Sequence, residues 1–212
     1  MSELKKEEYW SKFAHNYDEG VDYIVGKDIQ QEIIKRLLEE HNLGDVVEFG
    51  CGTGYFTKVI AKNAEHVIAT DLSDEMLEVA RTQLKEFQTI TIQKADCENV
   101  SFPSGKFDAV FMANVIHFIK NPSKALQESY RILKGGGLLL LVDYTGYGMK
   151  WFEKMKLGIR FIKKCGIPPR YFQTNLSPDD LCSLAEVAGF KIEKIQIIGE
   201  KTKALYLKGR KK

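Results

Sequence analysis

Residues 46–57, VVEFGCGTGYFT, restrict the possible folds of this chain more than any other segment. An apolar run that includes the acid Glu48 is followed by glycines at every second position, Gly50, Gly52 and Gly54. Glycine inside regular structure costs about 0.5–1 kcal/mol relative to alanine, so three glycines this close together need a compensating reason. The usual reason is a ligand that lies against bare backbone, here at the point where a strand ends.

Short apolar segments alternate with helical patterns along most of the chain. Strands are predicted at residues 45–49, 66–70, 90–94, 107–113, 137–144, 190–198 and 203–208. The first five are continuous apolar runs, as buried parallel strands require, whereas the last two alternate and are close enough in sequence to pair antiparallel. The pattern predicts an α/β, doubly wound sheet of about seven strands, mostly parallel with one antiparallel edge strand and helices on both faces.

Capping signals predict where several helices begin. Ser73, Asn121 and Ser177 each precede proline or acidic residues at the first helical positions. A first helical segment is predicted to end near Tyr17, and apolar residues at helical spacing predict an amphipathic helix over residues 27–41. These helices would fill the intervals between the strands.

The composition is that of an ordinary globular protein, with 44% hydrophobic and 28% charged residues among 212 and a formal net charge of +2. This near balance gives the whole molecule no polyanion-binding character. The amino terminus lacks the apolar core of a signal peptide, and no apolar run approaches the roughly 18 residues that cross a bilayer. The four cysteines form no C-x-x-C pair, which argues against a zinc site or a disulfide framework. The chain is therefore predicted to be one cytoplasmic domain, residues 1–212, without a metal.

Two other nucleotide-binding motifs fit the glycine segment less well. The G-x-G-x-x-G fingerprint of NAD-binding folds would place its third glycine at Tyr55, one residue after Gly54. A P-loop requires Gly-Lys-Ser/Thr, which does not follow. An NAD-dependent oxidoreductase is a disfavoured alternative. Measuring which cofactor raises the melting temperature of the protein would distinguish the two functions.

Several segments in order resemble one known family. Residues 46–57 resemble the glycine-rich first motif of the class I S-adenosylmethionine-dependent methyltransferases, and Asp71 in ATDLSDEML resembles the acid that ends their second strand. Residues 94–143 run through the remaining motifs, and residues 9–18 resemble the amino-terminal segment that often closes over the cofactor. The resemblance points particularly to the small-molecule branch that includes the ubiquinone and menaquinone biosynthesis enzymes. It implies a Rossmann-like fold and S-adenosylmethionine as cofactor, with S-adenosylhomocysteine as product.

The chemistry of S-adenosylmethionine agrees with the resemblance, because its adenosine, ammonium and sulfonium groups require an acid, backbone donors and an apolar slot. Asp71 comes 17 residues after Gly54, at the end of the next strand, where a carboxylate can accept from both ribose hydroxyls. Glu48 is expected to meet the ammonium, directly or through water. The methionine and ribose parts are expected to lie against the backbone of Gly50, Cys51 and Gly52.

The remaining cofactor contacts are implied by the resemblance alone. Asp96 would accept a hydrogen bond from the adenine amino group, and the Cys97 amide would lie near a ring nitrogen. Leu72 and Met76 would pack on the adenine. Asn114 would lie beside the methionine part and the sulfonium.

The sequence is less informative about catalysis. Aligning the acceptor, the methyl group and the sulfur can supply up to about 7–11 kcal/mol, so a dedicated base is optional. His117 is the leading candidate for a general base because it follows the fourth strand and histidine is the side chain best suited to exchange protons at physiological pH. The alternative is a packing or positioning role for this histidine. Asp143 and Tyr144 end the fifth strand and are weaker candidates for contact with the acceptor.

The residues after the fourth strand argue against a nucleic-acid substrate. Methyltransferases that act on exocyclic amines of DNA bases carry an Asn/Asp-Pro-Pro-Tyr/Phe segment there, which grips a flipped base. This chain has NVIH at residues 114–117, and it has no Pro-Cys nucleophile for cytosine methylation. A small-molecule acceptor is therefore predicted, with RNA methylation by a looser pocket as a minor alternative. A catalytically silent, methyltransferase-like binding module is the alternative. Such a module would be expected to have degraded cofactor motifs, whereas the motifs of this chain are intact.

Two segments outside the sheet are predicted to cover the site. The amino-terminal cap spans residues 1–43, in which Tyr17 either contacts the cofactor or anchors the first helix. The inserted helical lid spans residues 146–176. Basic charge is concentrated in it, because residues 147–172 contain seven Lys or Arg against Glu153 alone.

The lid is predicted to be amphipathic because Phe152, Met155, Ile159 and Ile162 recur at helical spacing. Its apolar face would meet an apolar acceptor, while its lysines would favour an anionic acceptor or a weak contact with an anionic membrane surface. The alternative is a helix docked on the sheet with a solvated outer face.

Overall fold

The structure, a computed structural model, describes residues 9–168, 172 and 175–212. Part of the predicted cap, residues 1–8, and part of the predicted lid, residues 169–171, 173 and 174, lie outside the described residues. After a 3-10 turn at Ala14–Asn16, the helices are α1 (Tyr17–Val25), α2 (Lys27–Leu38), α3 (Thr57–Ile60), α4 (Asp74–Gln83), α5 (Pro122–Ile132), α6 (Trp151–Cys165) and α7 (Pro178–Val187). The strands are β1 (Asp45–Phe49), β2 (His66–Asp71), β3 (Ile90–Lys94), β4 (Phe107–Ala113), β5 (Leu133–Thr145), β6 (Phe190–Ile198) and β7 (Lys203–Lys211).

The strands form a seven-stranded sheet in the order β3-β2-β1-β4-β5-β7-β6. Neighbours among β1 to β5 pair in parallel, whereas β7 runs antiparallel to both β5 and β6. This arrangement confirms the predicted, mostly parallel α/β sheet with antiparallel pairing at one edge. The neighbours of β1 are β2 on one side and β4 on the other, so its carboxyl end lies at a topological switch point, where open α/β sheets bind ligands.

Most predicted boundaries agree with the structure, and β1, β3, β4 and β6 have the predicted bounds. The first predicted helical segment is present as helix at residues 9–11 and the 3-10 turn at Ala14–Asn16, and α1 extends the helical structure beyond its predicted end at Tyr17. The helix predicted over residues 27–41 ends at Leu38.

The predicted helix starts are also present. The Ser73 hydroxyl accepts from the Met76 backbone N at 3.2 Å, and the Asn121 side chain accepts from Lys124 N at 3.2 Å. Ser177 forms a reciprocal capping box with Asp180. These caps satisfy backbone N–H groups that have no partner inside a helix, which is why such residues mark helix starts reliably.

Alternate side chains of the central strands fill a hydrophobic cluster on each face of the sheet. Val110 and Met112 of β4 belong to the cluster covered by α5 and α7. Phe111, between them in sequence, belongs to the opposite cluster, which α2 and α3 cover. The helices therefore lie on both faces, as predicted, and leave the carboxyl edge of the parallel strands for a site.

Candidate active site

The glycine-rich loop connects β1 to α3. Gly50, Gly52 and Gly54 have φ angles of 69°, 54° and 85°, which residues with a Cβ atom rarely adopt. At Gly54 a Cβ atom would come within 2.6 Å of the Leu84 side chain, and at Gly50 it would overlap with Val115. The loop therefore needs glycine for its own backbone shape and packing, in addition to any close approach of a ligand.

Asp71 ends β2 beside this loop. Its Oδ2 atom accepts a hydrogen bond from the backbone N of Gly52 at 2.9 Å, and its Oδ1 atom accepts from Ser73 N at 2.9 Å. The parallel pairing of Phe49 with Thr70 brings the loop to this acid. Asp71 thus holds the loop in place, a role that the sequence pattern did not reveal. Each carboxylate oxygen can accept more than one hydrogen bond, so this role is compatible with a ligand contact.

Glu48 places a buried carboxyl group against the same loop. Its side chain lies in the wall of the cavity, although only 1% of the residue is exposed. Among the residues that the structure describes, its Oε2 atom has no hydrogen-bond partner. Burial raises the pKa of Glu48 to about 8, the nearby Thr57 side chain opposes this shift, and the Asp71 charge adds to it. A buried carboxyl oxygen without a partner is suited to bind a cationic group.

One cavity, here called the first cavity, lies at the carboxyl ends of β1, β2 and β4 and is bounded by α1. It brings together all the residues that the sequence predicted to bind the cofactor. They are Tyr17, Glu48, Gly50, Cys51, Gly52, Asp71, Leu72, Met76, Asp96, Cys97 and Asn114. Their individual roles stay predictions. Sequence reasoning did not select Trp10, Asp18 or Phe118, which line the same cavity.

The amino-terminal segment closes the first cavity. Asp18 of α1 accepts hydrogen bonds from Thr53 Oγ1 at 2.5 Å and from Gln83 Nε2 at 3.0 Å, which fastens the helix to the glycine loop and to α4. The Trp10 ring lies 4.5 Å from that of Phe118, centroid to centroid. The sequence carried a signal for this contact, because residues 9–18 resemble the amino-terminal segment that often closes over the cofactor.

A second cavity of about 560 Å³ lies between α1 and α6. Its lining is largely apolar, and Lys12, Lys154 and Lys164 also contribute to its wall. The two cavities adjoin, because both are lined by Trp10, Tyr17, Val21, Asn114 and Phe118. A group bound in the first cavity can therefore face a molecule bound in the second.

Asn114 and two tyrosines lie at this junction. Asn114 follows β4 with a φ of 59°, and its Oδ1 atom accepts from the backbone N of Tyr144 at 3.2 Å. The Tyr144 hydroxyl is buried without a hydrogen-bond partner among the described residues. Burial raises the pKa of Tyr144 first of all, and the negative charge of an ionised Tyr17 would raise it further. Burial is also the main reason that the pKa of Tyr17 is raised. Both phenols therefore stay protonated and can donate a hydrogen bond.

His117 lies in the wall of the second cavity and forms a buried pair with Asp143 behind it. The His117 Nδ1 atom is bonded to Asp143 Oδ1, and the backbone N of His117 donates to Asp143 Oδ2 at 3.3 Å. Because an ionised carboxylate can only accept a hydrogen bond, Nδ1 is the nitrogen that carries the hydrogen in the neutral ring. Nε2 is therefore the nitrogen that can accept a proton. The sequence suggested both residues separately but carried no signal that they pair, because they are 26 residues apart on different elements.

The outer surface of α6 differs from the prediction. Phe152, Met155, Ile159 and Ile162 were expected to face the acceptor, but all four are exposed to solvent, and of these only Ile162 also lines the second cavity. The residues packed inward are Leu157, Phe161 and Cys165. The prediction was wrong because the helix carries two apolar stripes at helical spacing, and only contact with α1 and the core decides which one faces inward.

Comparison with known proteins agrees with this geometry. Residues 47–141, from β1 to β5, match the methyltransferase domain family. This match confirms the resemblance seen in the glycine segment and in residues 94–143. The matched residues include the loop, Glu48, Asp71 and His117, whereas α1 and α6 lie outside them.

Two relatives and one solved structure illustrate the similarity. A demethylmenaquinone methyltransferase from Tropheryma whipplei is 33% identical over 101 residues, covering 48% of this chain and 42% of the relative. A malonyl-[acyl-carrier protein] O-methyltransferase from Serratia marcescens is 30% identical over 134 residues, covering 62% and 49%. The chain thus spans less than half of the length of these curated relatives. An S-adenosylmethionine-dependent methyltransferase structure from Thermotoga maritima has a TM-score of 0.70 at 22% identity, covering 98% of this chain and 100% of that one, which shows the shared fold.

The described residues contain neither a metal-binding cluster nor a membrane-spanning helix. Across residues 9–168, 172 and 175–212, no group of three or more His, Cys, Asp or Glu side chains is placed to hold a metal ion. Within the same part of the chain, no helix combines the length and apolar character needed to span a bilayer.

Proposed function

We propose that the protein transfers a methyl group from S-adenosylmethionine to a small apolar or amphipathic acceptor. The observation that carries this proposal is the pair of adjoining cavities. The first has acidic and backbone groups at the switch point of the sheet, and the second is largely apolar. In-line transfer requires the donor and the acceptor to meet at one point, and Tyr17, Asn114 and Phe118 lie where the cavities meet.

The residues of the first cavity fit S-adenosylmethionine. The partnerless Glu48 oxygen suits the ammonium, and Asp71 beside the loop suits the ribose hydroxyls. Asp96 would accept from the adenine amino group, while Leu72 and Met76 would pack on the ring. When bound, this cofactor supplies a methyl group on a sulfonium, a good leaving group. The surrounding residues then need to orient the acceptor, exclude water and accept a proton.

The lining of the second cavity favours an acceptor with an apolar body. Aromatic and aliphatic side chains from α1 and α6 surround it, and Lys12, Lys154 and Lys164 would attract an anionic or polar group. The names of the two relatives support an acceptor of small size, since one describes methylation of demethylmenaquinone and the other of a malonyl group carried on acyl-carrier protein. A largely apolar cavity of about 560 Å³ also suits a small molecule better than a nucleic-acid strand.

The buried pair supplies a route for the acceptor proton. We assign His117 Nε2 as the group that takes the proton from the acceptor atom as that atom bonds to the methyl carbon. Asp143 holds the ring by its Nδ1–H and stabilises the imidazolium that results. Tyr17 and Tyr144 remain protonated and orient the acceptor by donating hydrogen bonds.

Glu48 makes cofactor binding dependent on pH. With a pKa of about 8, this carboxyl group is protonated at neutral pH and must ionise to bind an ammonium. Affinity for S-adenosylhomocysteine should therefore rise by up to about tenfold per pH unit between roughly pH 6 and 8, with release of a proton. Calorimetry in buffers of different ionisation enthalpy measures both effects.

The isosteric Glu48→Gln variant is the control for this prediction. It should bind S-adenosylhomocysteine without pH dependence over the same interval. Because the raised pKa means that ionisation opposes folding, the wild-type protein without ligand should also lose stability as the pH rises toward 8, and Glu48→Gln should not. A wild-type affinity that is constant from pH 6 to 8 would show that Glu48 does not bind the ammonium.

Filling the second cavity should block the acceptor and spare the cofactor. Gly158 of α6 lines this cavity, and a Cβ atom there would meet no atom within 4 Å. Gly158→Leu should lower methyl transfer by about tenfold or more while S-adenosylhomocysteine affinity stays within about twofold. Replacing a helical glycine removes a cost of about 1 kcal/mol, so the fold should not be weakened. The matched control is Lys163→Leu, which adds the same side chain on the outer surface of α6; equal activity in the two variants would argue against an acceptor in this cavity.

Identification of the acceptor tests the whole proposal. The protein is incubated with methyl-labelled S-adenosylmethionine and fractionated polar and lipid extracts, and labelled products are identified by mass spectrometry. The proposal predicts label in a small molecule with an apolar body. Cofactor binding without labelled product in any fraction would instead support a catalytically silent binding module.

A further inference from the structure

The outer surface of α6 carries a contiguous apolar stripe. Trp151, Ile162 and Met155 are 74%, 52% and 51% exposed, and Ile159 and Phe152 are 48% and 36% exposed. At 100° per residue these five side chains occupy an arc of about 100° on the helix. Isolated apolar residues on a surface are normal, but a continuous stripe of five large ones marks an interaction surface.

Basic side chains border this stripe. Lys163, Lys156 and Arg160 follow it around the helix, and all three are exposed. Glu153 is the acidic residue of α6, and it pairs with Lys156 at 3.6 Å. The third side of the helix is occupied, because Leu157 packs against the core. The helix is thus fixed to the protein by one side and presents an apolar stripe and a positive border outward.

We propose that α6 binds an anionic membrane surface, lying parallel to it with the apolar stripe inserted among the lipids. A helix with an aromatic and aliphatic stripe bordered by lysine and arginine has the form of interfacial membrane helices. The long basic side chains can reach lipid headgroups while their methylenes follow the stripe into the interface. A protein partner would need acidic side chains around an apolar groove of matching shape. An anionic bilayer offers negatively charged headgroups and an apolar interior along the whole length of the helix.

The position of α6 relates this surface to the second cavity. Ile162 belongs to the exposed stripe and also lines the cavity, so lipid-facing and cavity-facing surfaces meet on one helix. An apolar acceptor dissolved in the membrane would then enter the cavity without crossing water. This last step rests on the proposed function, whereas membrane binding itself depends only on the exposed surface.

Vesicle binding without cofactor or acceptor tests the proposal. The protein should sediment with phosphatidylcholine–phosphatidylglycerol vesicles, more weakly with phosphatidylcholine alone, and less as salt concentration rises. The double variant Met155→Gln/Ile159→Gln should lower the vesicle partition coefficient by about tenfold or more. The triple variant Lys156→Gln/Arg160→Gln/Lys163→Gln should lower it by roughly fivefold per charge removed, on anionic vesicles only.

A matched control and a spectroscopic measurement locate the contact. Val187→Gln changes a 77% exposed side chain on α7 and should leave vesicle binding unchanged. Tryptophan emission should shift to shorter wavelength with anionic vesicles, and Trp151→Phe should abolish that shift although Trp10 remains. All variants alter exposed side chains outside both cavities, so S-adenosylhomocysteine affinity should be unchanged, which shows that they are folded.

Three results would overturn the proposal. These are no sedimentation with anionic vesicles, equal binding by the Met155→Gln/Ile159→Gln variant, or concentration-dependent self-association that this variant abolishes while vesicles fail to bind. Methyl transfer in detergent by a protein that does not bind vesicles would show that the proposed function holds and the membrane surface does not.

Discussion

Replacing Asp71 with alanine is expected to weaken S-adenosylhomocysteine binding by about 100-fold or more, roughly 2.7 kcal/mol. Two effects combine. The ribose would lose a charged hydrogen-bond acceptor, worth about 1.5–3 kcal/mol, and the Gly52 N–H would lose the partner that holds the glycine loop. Titration calorimetry measures the change, and it should appear mainly in the enthalpy because hydrogen bonds are lost.

A ligand analogue separates these two effects. If Asp71 contacts the ribose, wild-type protein should bind the 2′-deoxy analogue of S-adenosylhomocysteine less tightly than the parent, and Asp71→Ala should not discriminate between them. The matched control is Asp74→Ala, which removes an exposed acid near the start of α4 paired with Lys94 and should change affinity little. Unchanged affinity in Asp71→Ala would refute the ribose assignment.

Replacing His117 with alanine should lower turnover by about 100-fold or more while cofactor affinity stays constant. General bases typically contribute this much, and the Nε2 atom of His117 is the proposed proton acceptor. Steady-state kinetics and calorimetry on the same preparation measure the two quantities. Added imidazole should restore part of the activity, because the variant leaves space for it in the wall of the second cavity.

Asp143→Asn provides the second variant of the pair. It preserves the shape of the side chain but cannot stabilise an imidazolium, so turnover should fall while the fold is retained. A purely structural role would lower thermal stability in both variants without rescue by imidazole. If His117→Ala keeps most of the wild-type turnover, alignment of donor and acceptor accounts for catalysis without a base.

Local features were readable from the sequence because neighbouring residues determine them. The strands β1, β3, β4 and β6 had clear apolar or alternating patterns, and Ser73 and Ser177 cap helices through hydrogen bonds to residues three positions ahead. The cofactor residues could be grouped as well, since the carboxyl ends of parallel strands meet at one edge of the sheet. Their individual contacts stay predictions.

The tertiary structure alone decided two kinds of feature. One is contact between residues that are distant in sequence, and the other is the orientation of a helix that has two apolar stripes. Asp71 supports Gly52, and His117 pairs with Asp143, through the register of neighbouring elements, for which the sequence has no local signal. The raised pKa of Glu48 arises from burial by the assembled fold. On α6 two apolar stripes satisfy the same helical spacing, and packing against α1 partly buries Leu157 and Phe161 while the stripe at Met155 and Ile159 remains exposed. Periodicity determines that a helix is amphipathic, but the shape of its neighbours selects the side that turns inward.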